Sequence, residues 1–529
     1  MYRRIRKLDG DAPIVMAKTV TMKTSSVANP NVWRLDRDGV KTPMKKLLVA
    51  LLLLILAAPA FINVRFDHDW GDDFAMYILQ AKKIALGSPL TDLEFLYDPV
   101  SASSAPPAYP VGFPLMLAPV YYIFGLSFRH FFYLMSAFAA LLSLLTFVYL
   151  RDKTNSSASA YALAVSLAFN PWLIDFKNAV LSDLPFAVLT LLAVISVERR
   201  KPVWAGLAMG LSLTTRPAAV ALLVGLGANT VYRWVRQPSP EESRKTLLQQ
   251  TAITLLVAIA VRVLLGAIFR TPSGSDTGYL NVIAPIAVLK ELVPGNLNYY
   301  IDISKDFIPG FQWVFLSKLF WMSLVWCSLA GFLRKVRSGP QFSEFFVLPY
   351  LAMISAWPSW QGFRFLLPVV PMCLYYTFLE LSQLGKSLLG PMTRYVPVTA
   401  VLLMWVAFAP FLIQLQRSHR QAKEGPMSPE AQEAYREIQR STPSDAAFIT
   451  YKPRALALFT GRKAAFDVPG LPPDAFGTFV KQKNIHYLLL DLASESVRNG
   501  EYKKQIPSEI ISTSVWENAR YAIVKLDWN

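Results

Sequence analysis

The chain has 529 residues, 53% of them hydrophobic, and a formal net charge of +17. Its Lys and Arg residues fall largely in short loops between apolar runs, as the positive-inside rule requires, so the charge does not indicate nucleic-acid binding. The two cysteines, Cys327 and Cys373, both lie inside apolar runs and predict no disulfide framework.

The apolar runs predict a polytopic α-helical membrane protein. We count about eleven runs that suit a bilayer, so residues 47–415 are expected to form a transmembrane module. Residues 1–46, with eleven Lys/Arg against four Asp/Glu, are expected to be a disordered cytoplasmic tail. The first run, Leu47 to Ile62, is interpreted as a retained anchor, with a cleaved signal peptide as the alternative. An odd number of crossings places the C-terminus outside; the count is least certain around 203–232.

Residues 63–129 are therefore expected to form an outer loop, and its start is rich in acids. Asp67, His68, Asp69, Asp72 and Asp73 follow the first run directly. Asp72 or Asp73 can N-cap a short amphipathic helix over residues 74–85, which should lie in the membrane interface. The next apolar piece, 113–125, is too short to span and is interpreted as re-entrant or interfacial.

The same acids can be interpreted in two ways. Asp67, His68 and Asp69 are either a solvated loop or ligands of a divalent cation, which carboxylate oxygens and imidazole can bind. Asp72 and Asp73 are either helix caps or chemically active groups. Asp183, at the outer mouth of a later span, either caps that span or shares a cavity with Asp72.

Four arginines lie at or near the expected outer membrane surface. They are either anchors to lipid headgroups or ligands for the phosphate of a lipid substrate, to which a guanidinium can make two hydrogen bonds. A charge inside a span is costly and normally faces a cavity or a partner. The four candidates are Arg216, Arg262, Arg270 and Arg364.

From residue 416 onwards the composition becomes that of a soluble protein. A helix is expected over 430–440, and strands over 446–450, 486–490 and 521–524. Residues 416–529 can bury a modest core, so the pattern predicts a small α/β domain on the outer face of the membrane.

Five motifs, taken in order, resemble the GT-C superfamily of polytopic glycosyltransferases. The likeness is to the branch of the dolichyl-phosphate-mannose protein mannosyltransferases and lipid A aminoarabinose transferases, and it covers roughly residues 47–415. Thr460-Gly461-Arg462-Lys463 also resembles these proteins. The five motifs are Gly71–Tyr77, Pro106–Leu115, Ser182–Phe186, Gly210–Pro217 and Arg364–Pro368.

The resemblance implies an enzyme of the bacterial inner membrane that moves a sugar from a polyprenyl-phosphate carrier to a lipid, glycan or protein acceptor. It implies that Asp72 activates the acceptor, with Asp73 and Asp183 as further candidate catalytic acids. Tyr77 and Tyr109 fall in the motifs that would face donor and acceptor. A lipid phosphate leaves readily, so a single base and no general acid suffices, and inversion is expected.

The resemblance leaves the substrate open. Arg216 stands where aminoarabinose transferases have Lys, and Ser103-Ser104-Ala105 stands where they also have Lys, so the sugar is not specified. No cofactor is required by this chemistry, although a divalent metal could stabilise the leaving phosphate. The competing interpretations are a lipid or polysaccharide transporter and an oligosaccharide-lipid ligase.

Overall fold

The computed structural model describes most of the chain. Residues 1–42 of the expected tail lie outside the described part. So does Ser103–Ala105, the segment that differs from the aminoarabinose transferases. The described residues are 43–97, 106–154, 156–236, 243–272, 275, 286–303, 314–389, 396–417, 424–467 and 471–528.

The described residues before the sheet are mainly helical. Short 3₁₀ turns occupy Ala58–Phe61, Pro217–Ala219 and Gly362–Val369. The α-helices are α1 (Pro43–Ala57), α2 (Asp73–Ala85), α3 (Gly112–Phe124), α4 (Phe128–Lys153), α5 (Ser157–Ala168), α6 (Pro171–Phe176), α7 (Asp183–Glu198), α8 (Pro202–Thr215), α9 (Val220–Val235), α10 (Arg244–Ile268), α11 (Ile286–Asp302), α12 (Val314–Ser338), α13 (Phe342–Ser355), α14 (Val370–Leu389) and α15 (Val396–Arg417).

The described part contains five helical segments that are long and apolar enough to cross a membrane. Further apolar helices, such as Ser157–Ala168 and Phe342–Ser355, are shorter. This is the architecture of a multi-pass membrane protein, but it does not establish the predicted count of eleven crossings. The five segments are Phe128–Lys153, Pro217–Val235, Arg244–Ile268, Lys318–Ser338 and Gly362–Lys386.

Small residues allow helices α8 and α10 to pack closely. Gly206 and Gly210 lie one turn apart on α8 and face α10. A Cβ at Gly206 would lie 2.6 Å from the Val257 side chain, and one at Gly210 would lie 2.7 Å from Val261. Such small-xxx-small pairs bring helix backbones together where water supplies no driving force.

Helix α2 is more deeply buried than its sequence predicts. Residues Phe74–Ala81 are buried on every side. The position of the helix in the interface plane stays a prediction. Its Gln80 side chain donates to the Tyr109 carbonyl oxygen at 2.9 Å and accepts from the Tyr109 N–H at 3.1 Å. This paired contact fixes α2 against the segment that precedes α3.

The C-terminal part is a five-stranded mixed sheet with short helices. Strands β1, β2 and β3 are parallel, β5 runs antiparallel to β3, and the strand order is β2-β1-β3-β5-β4. The strands are β1 (Ala447–Thr450), β2 (Lys463–Phe466), β3 (Tyr487–Asp491), β4 (Ile510–Glu517) and β5 (Tyr521–Trp528), and the helices are α16 (Pro429–Ser441), α17 (Pro453–Thr460), α18 (Pro473–Gln482), α19 (Glu495–Arg498) and α20 (Glu501–Gln505).

Three strands occupy the predicted positions, and two were missed. β2 has only four residues, and β4 is a largely exposed edge strand rich in Ser and Thr, so neither shows a clear apolar pattern. The outer loop also joins the sheet, since the Leu96 N–H donates to the Ala464 carbonyl oxygen at 2.8 Å. The Ala464 N–H in turn donates to the Glu94 carbonyl oxygen at 2.9 Å. The sheet and the loop that is expected to lie outside are therefore held together through backbone hydrogen bonds.

Candidate active site

Two adjacent aspartates and a third that is distant in sequence are brought together. Asp72 immediately precedes α2, Asp73 is its first residue, and Asp183 is the first residue of α7. Arg364 lies between two of them, with its Nη1 3.8 Å from Asp73 Oδ2 and 3.9 Å from Asp183 Oδ2. The predicted acids thus occupy one partly buried cluster with a predicted arginine.

Asp72 is held by the C-terminal part of the chain. It occupies the N-cap position of α2, but its side chain makes no capping hydrogen bond there. Instead, the Ala455 N–H, in the first turn of α17, donates to Asp72 Oδ1 at 3.4 Å. Arg454 Nε lies 3.6 Å from Asp72 Oδ2. A helix N-terminus and a guanidinium both favour a carboxylate, so this contact partly offsets the cost of burying Asp72.

The environment of Asp72 suits a base that works near neutral pH. Burial raises its pKa to about 6, while the positive charges of Arg454 and Lys452 act in the opposite direction. A base whose pKa lies close to the working pH is both ionised and basic enough to take a proton.

Arg454 is a central residue of the site that the sequence did not reveal. Its side chain is fully buried. Nη1 donates to the Tyr109 hydroxyl at 3.0 Å, and Nη2 donates to the Pro106 carbonyl oxygen at 2.8 Å. The only local signal is a cation at the start of an apolar helix, after Lys452-Pro453. Nothing nearby in sequence indicates that its partners lie in the first outer loop.

The two predicted tyrosines, Tyr77 and Tyr109, make hydrogen bonds at or beside the acids. The Tyr109 hydroxyl donates to Asp73 Oδ1 at 2.5 Å, and its ring stacks on Tyr77 with 4.5 Å between centroids. The Tyr77 hydroxyl is 2.9 Å from Ser182 Oγ, next to Asp183. Burial raises the pKa of Tyr77 to about 12, so it stays protonated. Both rings are buried and link α2 to the start of α7.

The structure distinguishes Arg216 from Arg364, two of the four predicted phosphate-binding arginines. Arg216 Nη1 is tightly paired with Asp183 Oδ1 at 2.6 Å, whereas the carboxylates nearest to Arg364 lie beyond hydrogen-bond distance. Arg364 donates to Gln361 through Nη2. Both guanidiniums pack against the Phe365 ring, with centres 5.0 and 5.7 Å from its centroid. Arg364 therefore has more capacity to bind an added anion.

An apolar cavity of about 420 Å³ is lined in part by residues that neighbour Arg364 in sequence. Phe363 and Leu366, which flank the Arg364–Phe365 pair in sequence, line it. Tyr300 also lines it and is close enough to both arginines for their charges to affect its hydroxyl. The other walls are mainly apolar side chains of α12, α13 and α14. A long apolar chain could lie in this cavity with a charged end at Arg364.

The other two predicted arginines lie on α10 or just beyond its end. Arg262 is half-buried on α10, and Arg270 is exposed just beyond the end of that helix. Among the described residues, the ion pairs of Asp72, Asp73 and Asp183 are made by Arg216, Arg364 and Arg454. A phosphate-binding role for Arg262 and Arg270 stays a prediction.

The predicted metal ligands do not form a common site. His68 is buried and accepts the Val180 N–H through Nε2 at 3.0 Å, so Nδ1 carries the proton and donates to the Asp69 carbonyl oxygen at 2.8 Å. Asp69 itself pairs with Arg65. In the described part of the chain, no three His, Cys, Asp or Glu side chains are grouped to hold a metal ion, which corrects the metal interpretation of Asp67, His68 and Asp69.

Solved structures show the same fold. The chain is similar to an apo ArnT from Cupriavidus metallidurans, with a TM-score of 0.59 and 11% identity over 91% of this chain and 98% of that one. It is similar to the archaeal oligosaccharyltransferase AglB from Archaeoglobus fulgidus, solved with an inhibitory peptide and a dolichol-phosphate. The TM-score there is 0.57, with 14% identity over 88% of this chain and 72% of that one.

A third similar structure is the arabinofuranosyltransferase AftD from Mycobacteria, with a TM-score of 0.52 and 13% identity over 91% of this chain and 41% of that one. Neither a protein-family model nor a curated protein sequence matches the chain. These structures have the GT-C fold, and so does this chain; at such low identity the likeness concerns the fold.

Proposed function

We propose that the chain is a glycosyltransferase that moves a sugar from a polyprenyl-phosphate carrier to a hydroxyl-bearing acceptor. One arrangement carries this proposal: Asp72, a buried carboxylate that can act as a base, adjoins Asp73, which Arg364 approaches, and the residues that flank Arg364 in sequence line an apolar cavity. A base, an anion site and an apolar channel are the three elements that such a reaction needs.

Asp72 is proposed to activate the acceptor. Asp72 Oδ2 and Arg454 Nε lie 3.6 Å apart, and neither makes a hydrogen bond within the described residues. An acceptor hydroxyl that reaches Asp72 could donate to Oδ2 and lose its proton to it. The acceptor oxygen then forms a bond to the anomeric carbon as the bond from that carbon to the phosphate oxygen breaks.

The departing group is a polyprenyl phosphate that carries away the electron pair of the broken bond. Its growing negative charge requires fixed cations close to the reacting centre. Arg364 is the best-placed cation because its carboxylate neighbours are too distant for hydrogen bonds. Arg216 adds positive charge but is already committed to Asp183. Attack from the side opposite the phosphate predicts inversion at the anomeric carbon.

The apolar cavity is proposed to hold the isoprenoid chain of the donor. Its volume of about 420 Å³ and its aliphatic and aromatic walls suit a flexible hydrocarbon. Phe363 and Leu366 would guide the chain towards Arg364, so that phosphate and carbon chain are bound by neighbouring residues. The structure of ArnT from Cupriavidus metallidurans bound to undecaprenyl phosphate, with a TM-score of 0.56, supports such a carrier for this fold.

An oligosaccharide-lipid ligase is the second candidate, because AglB is an oligosaccharyltransferase of similar fold. This chain covers 98% of the ArnT chain but 72% of AglB, which favours the smaller enzyme type. The two functions differ in the size of the transferred group. The orientation in the inner membrane is likewise proposed. The sugar and the acceptor are to be identified by experiment.

The proposal is tested by reconstituting the full chain in liposomes with polyprenyl phosphates that carry single pentoses or hexoses and, in parallel, with ones that carry an oligosaccharide. Release of polyprenyl phosphate is measured together with mass spectrometry of glycans and lipids from cells with and without the gene. We expect donor consumption with at least one monosaccharide donor and loss of one sugar unit in the deletion strain. Consumption only of oligosaccharide donors would favour the ligase.

A further inference from the structure

We propose that a crevice at the carboxyl ends of β1 and β3 binds a sugar unit of the acceptor beside Asp72. This inference rests on the proposed function and names the class of its acceptor. The crevice is defined by Trp70 from the first outer loop and by Tyr435, Thr450, Tyr451 and Tyr521 from the C-terminal part.

The position of the crevice follows from the topology of the sheet. The chain leaves β1 towards β2 on one side, whereas β5 pairs with β3 on the other side. The carboxyl ends of β1 and β3 are therefore a point where the connections diverge. In open α/β sheets, ligands bind in the crevice at such points because the loops separate there. Thr450 is the last residue of β1, and Tyr521 stands opposite the end of β3 at Asp491.

The crevice contains buried polar atoms that the protein leaves unsatisfied. Within the described residues, Trp70 Nε1 and Thr450 Oγ1 have no hydrogen-bond partner, and only 2% of Thr450 is exposed. The hydroxyls of Tyr451 and Tyr521 are close enough to hydrogen-bond to each other, and they have no further partner there. Buried polar groups usually have partners, because an unsatisfied one costs about 1–3 kcal/mol. Several around one opening indicate that a ligand completes them.

The crevice is connected to Asp72 from two directions. Trp70 precedes Asp72 by two residues, and the segment that follows Thr450 leads directly to Arg454, which faces Asp72. Lys452 lines the crevice and its charge reaches Asp72. Arg364, by contrast, contacts Asp73 and Asp183. A ligand in the crevice would thus approach from the side of the base, as an acceptor must.

The chemistry of the walls favours a carbohydrate. The rings of Trp70 and Tyr451 are half-buried, with 6.0 Å between centroids, and offer apolar faces at the opening. The unsatisfied groups are an indole N–H and hydroxyls, which pair with sugar hydroxyls. The enclosed space is about 10 Å³, enough for one hydroxyl-sized group. A sugar ring would therefore lie against the two aromatic rings with one hydroxyl inside the crevice.

The test is ligand-observed NMR on the full chain in nanodiscs, using a panel of methyl mannoside, methyl glucoside, methyl arabinofuranoside and N-acetylglucosamine, with N-acetylserinamide as the non-sugar probe. We expect at least one glycoside to bind, and Thr450→Val or Tyr451→Phe to weaken it roughly fivefold to tenfold, the effect of one lost hydrogen bond. Tyr487→Phe, at the opposite end of β3, is the matched control and should bind as the wild type does.

Three results would overturn the inference: no glycoside binds, the two crevice variants bind as tightly as the wild type, or N-acetylserinamide is preferred. The same samples are assayed for Asp72-dependent donor consumption, so the two proposals can fail separately. Consumption without crevice-dependent glycoside binding contradicts only the crevice inference. Absence of consumption with every donor contradicts the proposed function.

Discussion

Asp72 and Arg454 come from opposite ends of the chain, yet Asp72 Oδ2 and Arg454 Nε lie 3.6 Å apart in a buried setting. The contact joins the first outer loop to the first turn of α17. The C-terminal part therefore supplies the cation beside Asp72. Arg454 also holds Tyr109 and the Pro106 carbonyl, which positions the second outer-loop motif. The site is therefore assembled only when both parts of the chain are folded.

Activity should rise with pH through about 6. Burial raises the pKa of Asp72 to about 6, and the base works only when ionised, so protonation below that pH removes activity. The positive charge of Arg454 lowers this pKa. Arg454→Gln should therefore move the acidic limb of kcat/KM to higher pH by about one unit or more, whereas Arg454→Lys should leave it near 6. Superimposable profiles for Gln and wild type would show that Arg454 does not act on Asp72.

Arg364→Gln should weaken donor binding while the protein remains folded. Its carboxylate neighbours are beyond hydrogen-bond distance, so neutralising it breaks no tight ion pair. We expect the apparent donor affinity in liposomes to fall by roughly tenfold to a hundredfold, with partial recovery in Arg364→Lys, because lysine cannot make two parallel hydrogen bonds. An unchanged donor dependence would assign Arg364 to anchoring at the membrane surface.

Arg216→Gln should behave differently, because Asp183 would be left buried without its partner. Breaking one side of a buried pair costs about 3–5 kcal/mol, so this variant should lose thermal stability. The double variant Arg216→Gln/Asp183→Asn removes both charges and should recover much of that loss. Equal melting temperatures for the wild type and the single variant would mean that the pair is not important for folding.

His68 should make the protein acid-sensitive. Burial lowers its folded pKa to about 4, whereas the unfolded chain should titrate near the ordinary value of about 6.5. Neutral His68 therefore contributes stability above about 6.5, and that stability is lost as pH falls towards 4, by about 3 kcal/mol. His68→Asn should have a flatter melting-temperature profile over this range. Stabilisation of the wild type by added divalent cations, absent in His68→Asn, would restore the metal interpretation.

The termini are expected on opposite sides of the membrane. A reporter that is active only outside should work after Asn529 and near Ser275, and it should fail near Glu242. The basis is the distribution of Lys and Arg in short loops. A cytoplasmic signal after Asn529 would indicate an error in the number of crossings, most simply in the α8–α9 hairpin.

Local motifs revealed the site residues that stand at recognisable places in the sequence. Asp72, Asp183, Arg216 and Arg364 could each be picked out because an acid or a cation stands at the boundary of an apolar run. Sequence could not reveal Arg454, because its partners lie in the first outer loop, far along the chain. His68 was misassigned for the same reason, since its partner is the backbone of Val180.

The same limit applied to the fold. Long apolar runs and the strands buried on both faces were recognisable, whereas β2 and β4 carry little apolar signal. The amphipathic pattern of α2 does not show what covers the polar face of the helix. In the structure α3 and α17 pack against it, and that contact depends on the tertiary fold.

The most direct test of the account is the turnover of Asp72→Asn in liposomes, with Asp69→Asn as the matched control. Asp69 lies in the same loop but is largely exposed and paired with Arg65. The Asn variant keeps the shape of Asp72 and removes its basicity, so transfer should fall by a factor on the order of 10²–10⁴. Asp69→Asn should retain nearly full activity. Near wild-type turnover by well-folded Asp72→Asn would contradict the central claim that Asp72 is the base.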